Sequence, residues 1–134
     1  MGNPEKMVFH LRKLLPISFC RGQYIYGRTL DFTAATHYET IGCFRDLPNR
    51  AIPTLEGLDP ILDGNYWSRQ NAIHKCYQAA KKRNFYVFAL QHGGWCASGE
   101  FAVDTFDRYG KSGACRHDGQ GGVWANQVYL IKGN

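Results

Sequence analysis

No uninterrupted apolar run in this chain approaches the ~18 residues that a membrane-spanning helix needs, so a helical integral membrane protein is excluded. There is no Asn-x-Ser/Thr sequon, and N-glycosylation is therefore not expected. The G-x-S-x-G, H-E-x-x-H and phosphate-loop patterns are all missing, and the five histidines are scattered, so no catalytic constellation is visible. The reading is a protein that is not an enzyme and needs no cofactor. Cysteines never occur at the C-x₂₋₄-C spacing of a zinc site; the nearest two, Cys96 and Cys115, are 19 residues apart. Internal repeats and low-complexity segments are absent as well. The Met-Gly start is no myristoylation signal, because position six is Lys6.

What is present belongs to a globular domain. Apolar residues make up 44% of the 134 and charged residues 20%, which excludes wholesale disorder. Fifteen glycines with 8 Phe, 8 Tyr and 3 Trp point to a loop-rich β or α+β domain rather than a helical bundle. The net charge of +5 invites a nucleic-acid reading, but residues 1–37 hold five Lys/Arg against two acids, and 38–134 eleven against nine. The one dense cluster, Lys81-Lys82-Arg83, falls at a helix C-terminus, where cations complement the helix dipole and need no phosphate. Nucleic acid is not an expected partner.

Composition shifts near residue 37, dividing the chain into an extension (1–37) and a module (38–134). The extension carries basic residues, an interrupted apolar stretch over Leu14-Leu15 to Phe19, and Cys20. Three readings of it stand: a degraded secretory signal, a divergent extension, or a short amphipathic helix. Gln23–Thr36 offers one extra strand.

Within the module, Tyr38–Phe44 reads as a strand and 45–60 as a proline-marked loop. Ser68 is the expected N-cap of a helix over Arg69–Arg83, with Ile73, Cys76, Tyr77 and Ala80 at the spacing of one buried face and Asn84 ending it in the left-handed conformation. Phe85–Gln91 follows as a strand, 97–122 as a long polar loop, and Trp124–Ile131 as the closing strand. The expected fold is a small antiparallel sheet with one main α-helix packed on it.

Four cysteines at 43, 76, 96 and 115 form an even set across strand, helix, strand and loop. That is the pattern of a disulfide framework in a secreted domain, with buried reduced thiols as the plain alternative. Three connectivities are open. The favoured pairing joins Cys76 to Cys96, because Cys76 lies on the buried helix face and Cys96 ends the strand nearest it, and leaves Cys43 for Cys115.

The order of short motifs carries a resemblance. Gly42-Cys43-Phe44-Arg45-Asp46, then Asn49-Arg50-Ala51-Ile52, then Lys75-Cys76, Phe88-Ala89-Leu90-Gln91 and Gly93-Gly94-Trp95-Cys96, lead to Gly121-Gly122-Val123-Trp124-Ala125-Asn126-Gln127-Val128-Tyr129. The series resembles WSC domains, which open G-C-Y-x-D and close G-G-x-W-x-N-x-V-Y. It is closer still to a four-cysteine variant in extracellular proteins of marine invertebrates, which shares Asn49–Gly57 and Leu62-Asp63-Gly64. The resemblance spans Tyr38–Ile131. It implies a PAN/apple-like layering of helix and sheet, an extracellular setting and carbohydrate binding. WSC domains usually carry eight cysteines, and this chain departs from them there.

Glycan recognition needs aromatic faces for sugar C–H surfaces and planar polar groups for paired hydroxyls. The candidates are Trp95, Asp107, Arg108, Tyr109, Arg116 and Asp118, with Phe106 and His117 in the same loop. Each has a plainer reading: Trp95 as packing, Arg108 as a loop ion pair, Trp124 and Tyr129 as core, Asn126 as a partner for backbone groups. Glu100, Asp104, Asp107 and Asp118 supply calcium-type oxygens but not an EF-hand spacing, and a solvated acidic loop is the favoured reading, so no metal site is expected. The expected partner is a glycan or glycosylated surface, with an extracellular protein as the alternative.

Overall fold

A computed structural model describes residues 37–133. Residues 1–36 of the 1–37 extension, including Cys20 and the Gln23–Thr36 strand expectation, lie outside the described residues. The described residues form four strands: β1 (Tyr38–Arg45), β2 (Val87–Gly93), β3 (Trp95–Ser98) and β4 (Gly121–Ile131). They form one antiparallel sheet in the order β1-β4-β2-β3. Helix α1 (Ala72–Lys82) covers one face, and the short helix α2 (Ala102–Thr105) lies within what the sequence presents as a polar loop. The fold is a small disulfide-stapled α+β domain.

A run of consecutive apolar residues, rather than an alternating one, marks a strand buried on both sides. Strand β2 is such a run, buried from Val87 through Gln91. Phe88 and Leu90 join Cys76, Tyr77, Ala79 and Ala80 of α1, with Tyr129 and Ile131 of β4, in one core layer. Val87 and Ala89 face the other way, against Ile52, Val103, Phe106 and Leu130. Two core layers therefore share one sheet.

Helix α1 begins three residues later than its pattern suggests. Asn65 accepts from Trp67 N–H at 2.8 Å and closes a separate 3₁₀ turn over Tyr66–Ser68. Asn71 then sits at φ 53°, so the turn and the helix cannot be continuous, and Ser68 caps nothing. The far end matches expectation: Asn84 (φ 62°) donates to Lys81 O, and Phe85 N–H donates to Ala80 O. This is the Schellman arrangement, and it draws Phe85 onto the core, so β2 starts at Val87 instead of Phe85.

The disulfides are Cys43–Cys115 and Cys76–Cys96. The second joins α1 to β3, and both of its cysteines are fully buried. At the start of β4, a Cβ on Gly121 would lie 1.9 Å from Leu90 O, and one on Gly122 would lie 1.8 Å from Ala114 O. Only hydrogen fits at either position, which gives the Gly-Gly of the closing motif its physical cause.

Strand β4 then bulges. Gln91 pairs with Asn126 and Gly93 with Gly121, so four β4 residues stand opposite the single His92. Trp124 sits in the bulge at φ 52°, and its carbonyl accepts from Asp46 N–H at 2.9 Å. Its indole is 43% exposed, which corrects the core assignment that strand alternation gives it. Tyr129 is buried as expected.

Candidate functional site

The candidate residues of the late loop do not form one surface. Phe106 is 1% exposed and packs edge-on against Phe44 at 5.1 Å; it is core, because α2 turns it inward. Residues 107–112 run along the β1 side of the sheet. There Arg45 N–H donates to Gly110 O, Ser112 N–H donates to Cys43 O, and Tyr109 O–H donates to Asn49 O at 2.5 Å. Asp107 is half-buried, and Arg108 is exposed with its guanidinium 5.7 Å from the Tyr109 ring. The Tyr109 hydroxyl is thus engaged within the domain, while Arg108 stands in solvent beside it.

Trp95 is half-buried and also occupied. The Arg50 guanidinium lies 4.7 Å from its ring centre and 4.6 Å from that of Trp124. Behind the rings, the fully buried Asp46 accepts from Ala51 N–H (2.8 Å), Arg50 Nη1 (2.9 Å) and Gln91 Nε2 (2.8 Å). Gln91 also donates to Asn126 Oδ1 at 2.9 Å. Asn126 therefore serves a side chain rather than the backbone. A buried carboxylate with three donors is held in place, and its partners are ordered with it. The arrangement explains the chemistry of the Asp, Arg, Gln, Trp and Asn positions in the motif series as structural.

Arg116 and Asp118 belong to a different group, at the end of the sheet where β2 turns into β3. Arg116 N–H donates to Gln120 O, Asp118 Oδ1 accepts from Gln120 N–H, and the two side chains form an exposed 3.4 Å ion pair. Tyr129 O–H donates to Gly119 O at 2.6 Å and fastens the turn to the sheet. Burial pushes that phenol up to about 12, against a hydrogen bond with Thr40 that lowers it. The Arg116 guanidinium passes 3.2 Å from where a Cβ on Gly93 would stand, so the pair lies over the β2–β3 turn. His117, between them, is exposed.

The same turn carries an aromatic cluster that the sequence reading does not select. His92 (φ 50°) meets Trp67 edge to face, with ring centres 4.1 Å apart, and Tyr66 stacks on Trp67 at 5.3 Å. Trp67 is 57% exposed. Two features hold it out. A Cβ on Gly94 would be 2.8 Å from Tyr66 O, so glycine lets the 3₁₀ turn seat on the hairpin. Arg69, two residues on, is nearly buried and grips Glu56 with both nitrogens (2.7 and 2.8 Å) while donating to Gly94 O and Leu62 O. Glu56 in turn accepts from Cys96 N–H at 2.7 Å. A bidentate Arg–carboxylate pair of this kind fixes geometry as well as energy.

Trp67, His92, Arg116 and Asp118 thus gather around one hairpin turn. The group offers an aromatic face, a planar cation and a carboxylate, all open to solvent. Among the described residues no three His, Cys, Asp or Glu side chains converge as a metal site, and no helix is long and apolar enough to cross a membrane. No protein-family model matches this chain, and no curated protein matches it.

Proposed function

We propose that this chain is a WSC-like extracellular recognition module that binds carbohydrate at the Trp67–His92–Arg116–Asp118 surface. The observation that carries the reading is Trp67: a large aromatic side chain, more than half exposed, on a turn that a buried Arg69–Glu56 pair holds rigid. Protein interiors have room for such a ring, and leaving it in water forgoes about 2 kcal/mol of burial. Sugar rings present C–H faces that stack on an indole, and Arg116 with Asp118 supplies donors and acceptors for neighbouring hydroxyls. The pair is mutually neutralising, which suits an uncharged sugar at this position. Two disulfides and the absence of a membrane-spanning helix among the described residues fit a secreted or extracellular protein.

A glycan array followed by titration of the best hit tests the reading. Trp67→Ala is expected to lower affinity at least tenfold with an unchanged melting temperature, and Trp95→Phe to leave affinity alone. Equal binding by Trp67→Ala and the parent chain would refute the site.

A second reading, a protein-binding module without a sugar site, rests on Leu47, Val123 and Trp124. All three are exposed, and the Asp46–Trp124 backbone bond brings their segments together. Loss of a protein partner on Val123→Asp, with glycan binding intact, would support it.

A further inference from the structure

A second polar surface lies at the opposite end of the sheet, where β1 begins. His74, Gln78, Lys81 and Lys82 stand at i, i+4, i+7 and i+8 on α1 and form one stripe along the helix. His37 completes it from the start of β1, its backbone carbonyl held by Lys132 N–H at 2.9 Å. Together with Tyr77 these residues line a shallow open groove of about 560 Å³. The His37 ring lies 6.4 Å from that of His74 and 5.6 Å from Tyr77, and His74 lies 5.3 Å from Tyr77.

The chemistry of this lining is one-sided. Every side chain in it can donate a hydrogen bond or carry positive charge, and the described lining residues include no carboxylate. Lys82 reaches Asp59 at 2.9 Å, but the same Asp59 oxygen already takes Arg83 at 2.6 Å. Two cations on one carboxylate leave the neighbourhood net positive. The nearest further acid along β1, Glu39, is paired with Lys132 at 3.5 Å. Aromatic rings beside hydrogen-bond donors suit a ligand that is itself part ring and part anion.

We propose that this groove is a second binding site, for the sulfate or carboxylate groups of an acidic polysaccharide. The imidazole and phenol rings of His37, His74 and Tyr77 take the sugar's C–H face, while Lys81, Lys82 and Gln78 take the oxyanion. A nucleic-acid backbone is a poorer match. Its affinity comes from many cations tracking successive phosphates, and here two lysines border one pocket. The site stands apart from the Trp67 surface and does not depend on it.

Titration of the full chain with short dextran sulfate, with unsulfated dextran of the same length as the partner arm, tests the proposal. The imidazole NMR signals of His37 and His74 are expected to move with dextran sulfate and to stay fixed with dextran. His74→Gln combined with Lys81→Gln is expected to weaken dextran sulfate binding about tenfold or more, the loss of one ring contact and one charge-assisted contact. Trp67→Ala should leave it unchanged, which separates this site from the neutral-sugar site. Undiminished binding by the double variant would overturn the proposal. So would inorganic sulfate producing the same signal movements at equal sulfate concentration, since the groove would then hold a free anion only. Equal affinity for a DNA oligonucleotide of matched charge, lost in the same double variant, would mark a general polyanion surface and overturn it likewise.

Discussion

Arg50 holds its guanidinium 4.6 Å from the centre of the Trp124 ring, joining the loop after β1 to the bulge of β4 across 74 residues of chain. Trp95 supplies a second ring at 4.7 Å, and Asp46 anchors the same guanidinium at 2.9 Å. One cation thus ties together three segments whose short motifs stand far apart in the sequence.

Removing that cation has a defined consequence. Arg50→Ala is expected to lower the unfolding free energy by about 2 kcal/mol, through one charge-assisted hydrogen bond and two cation–π contacts at a partly exposed site. Arg50→Lys should recover only part, because an ammonium cannot serve two rings and the Asp46 carboxylate at once. Urea denaturation followed by tryptophan emission reads both effects, and an unchanged midpoint for Arg50→Ala would show the contacts to be incidental.

Acid stability depends on Asp59. Its buried carboxylate accepts from Ile61 N–H and pairs with Arg83 and Lys82, and these hold it well below the usual carboxylate range. A depressed folded-state value means stabilisation that is complete above the unfolded value of about 3.9 and is lost as pH falls through the folded one. Unfolding free energy should therefore decline below about pH 4. Asp59→Asn should start about 3 kcal/mol lower at pH 7 and show a shallower acid decline. Denaturation midpoints from pH 7 to 2 for both proteins check this, and parallel curves would remove Asp59 as the cause.

The two disulfides should reduce in order. Cys43 and Cys115 retain partial solvent access, whereas Cys76 and Cys96 have none, being sealed between α1 and the sheet. A mild thiol reductant without denaturant is expected to open Cys43–Cys115 first, with Cys76–Cys96 released only on unfolding. The longer loop, with a sequence separation of 72, corresponds to about 4 kcal/mol of chain-entropy stabilisation, and the shorter, with 20, to about 3 kcal/mol. Alkylation with peptide mapping over a reduction time course measures the order, and simultaneous loss would contradict it.

Much of this protein follows from local chemistry that a linear reading contains. The even cysteine set, the apolar run of β2, the stripe of Cys76, Tyr77 and Ala80, and the Asn84 stop each express a short-range energy: burial period, backbone strain or loop closure. Those features determined the fold class and favoured one of three cysteine pairings, which the packing of α1 against β3 then decided. The positions of Phe106, Trp124 and Trp67 had no such local signal. Phe106 sits in a polar, glycine-spotted stretch, yet a four-residue helix turns it onto Phe44. Trp124 keeps strand alternation but stands on a bulge created by the pairing of β4 with β2. Trp67 precedes a helix like any loop residue, and its exposure is set by Arg69 reaching Glu56 and Gly94 from elsewhere in the chain. Which side chain meets water at the end of a sheet depends on register and long-range ion pairs, and those exist only once the distant segments have packed together.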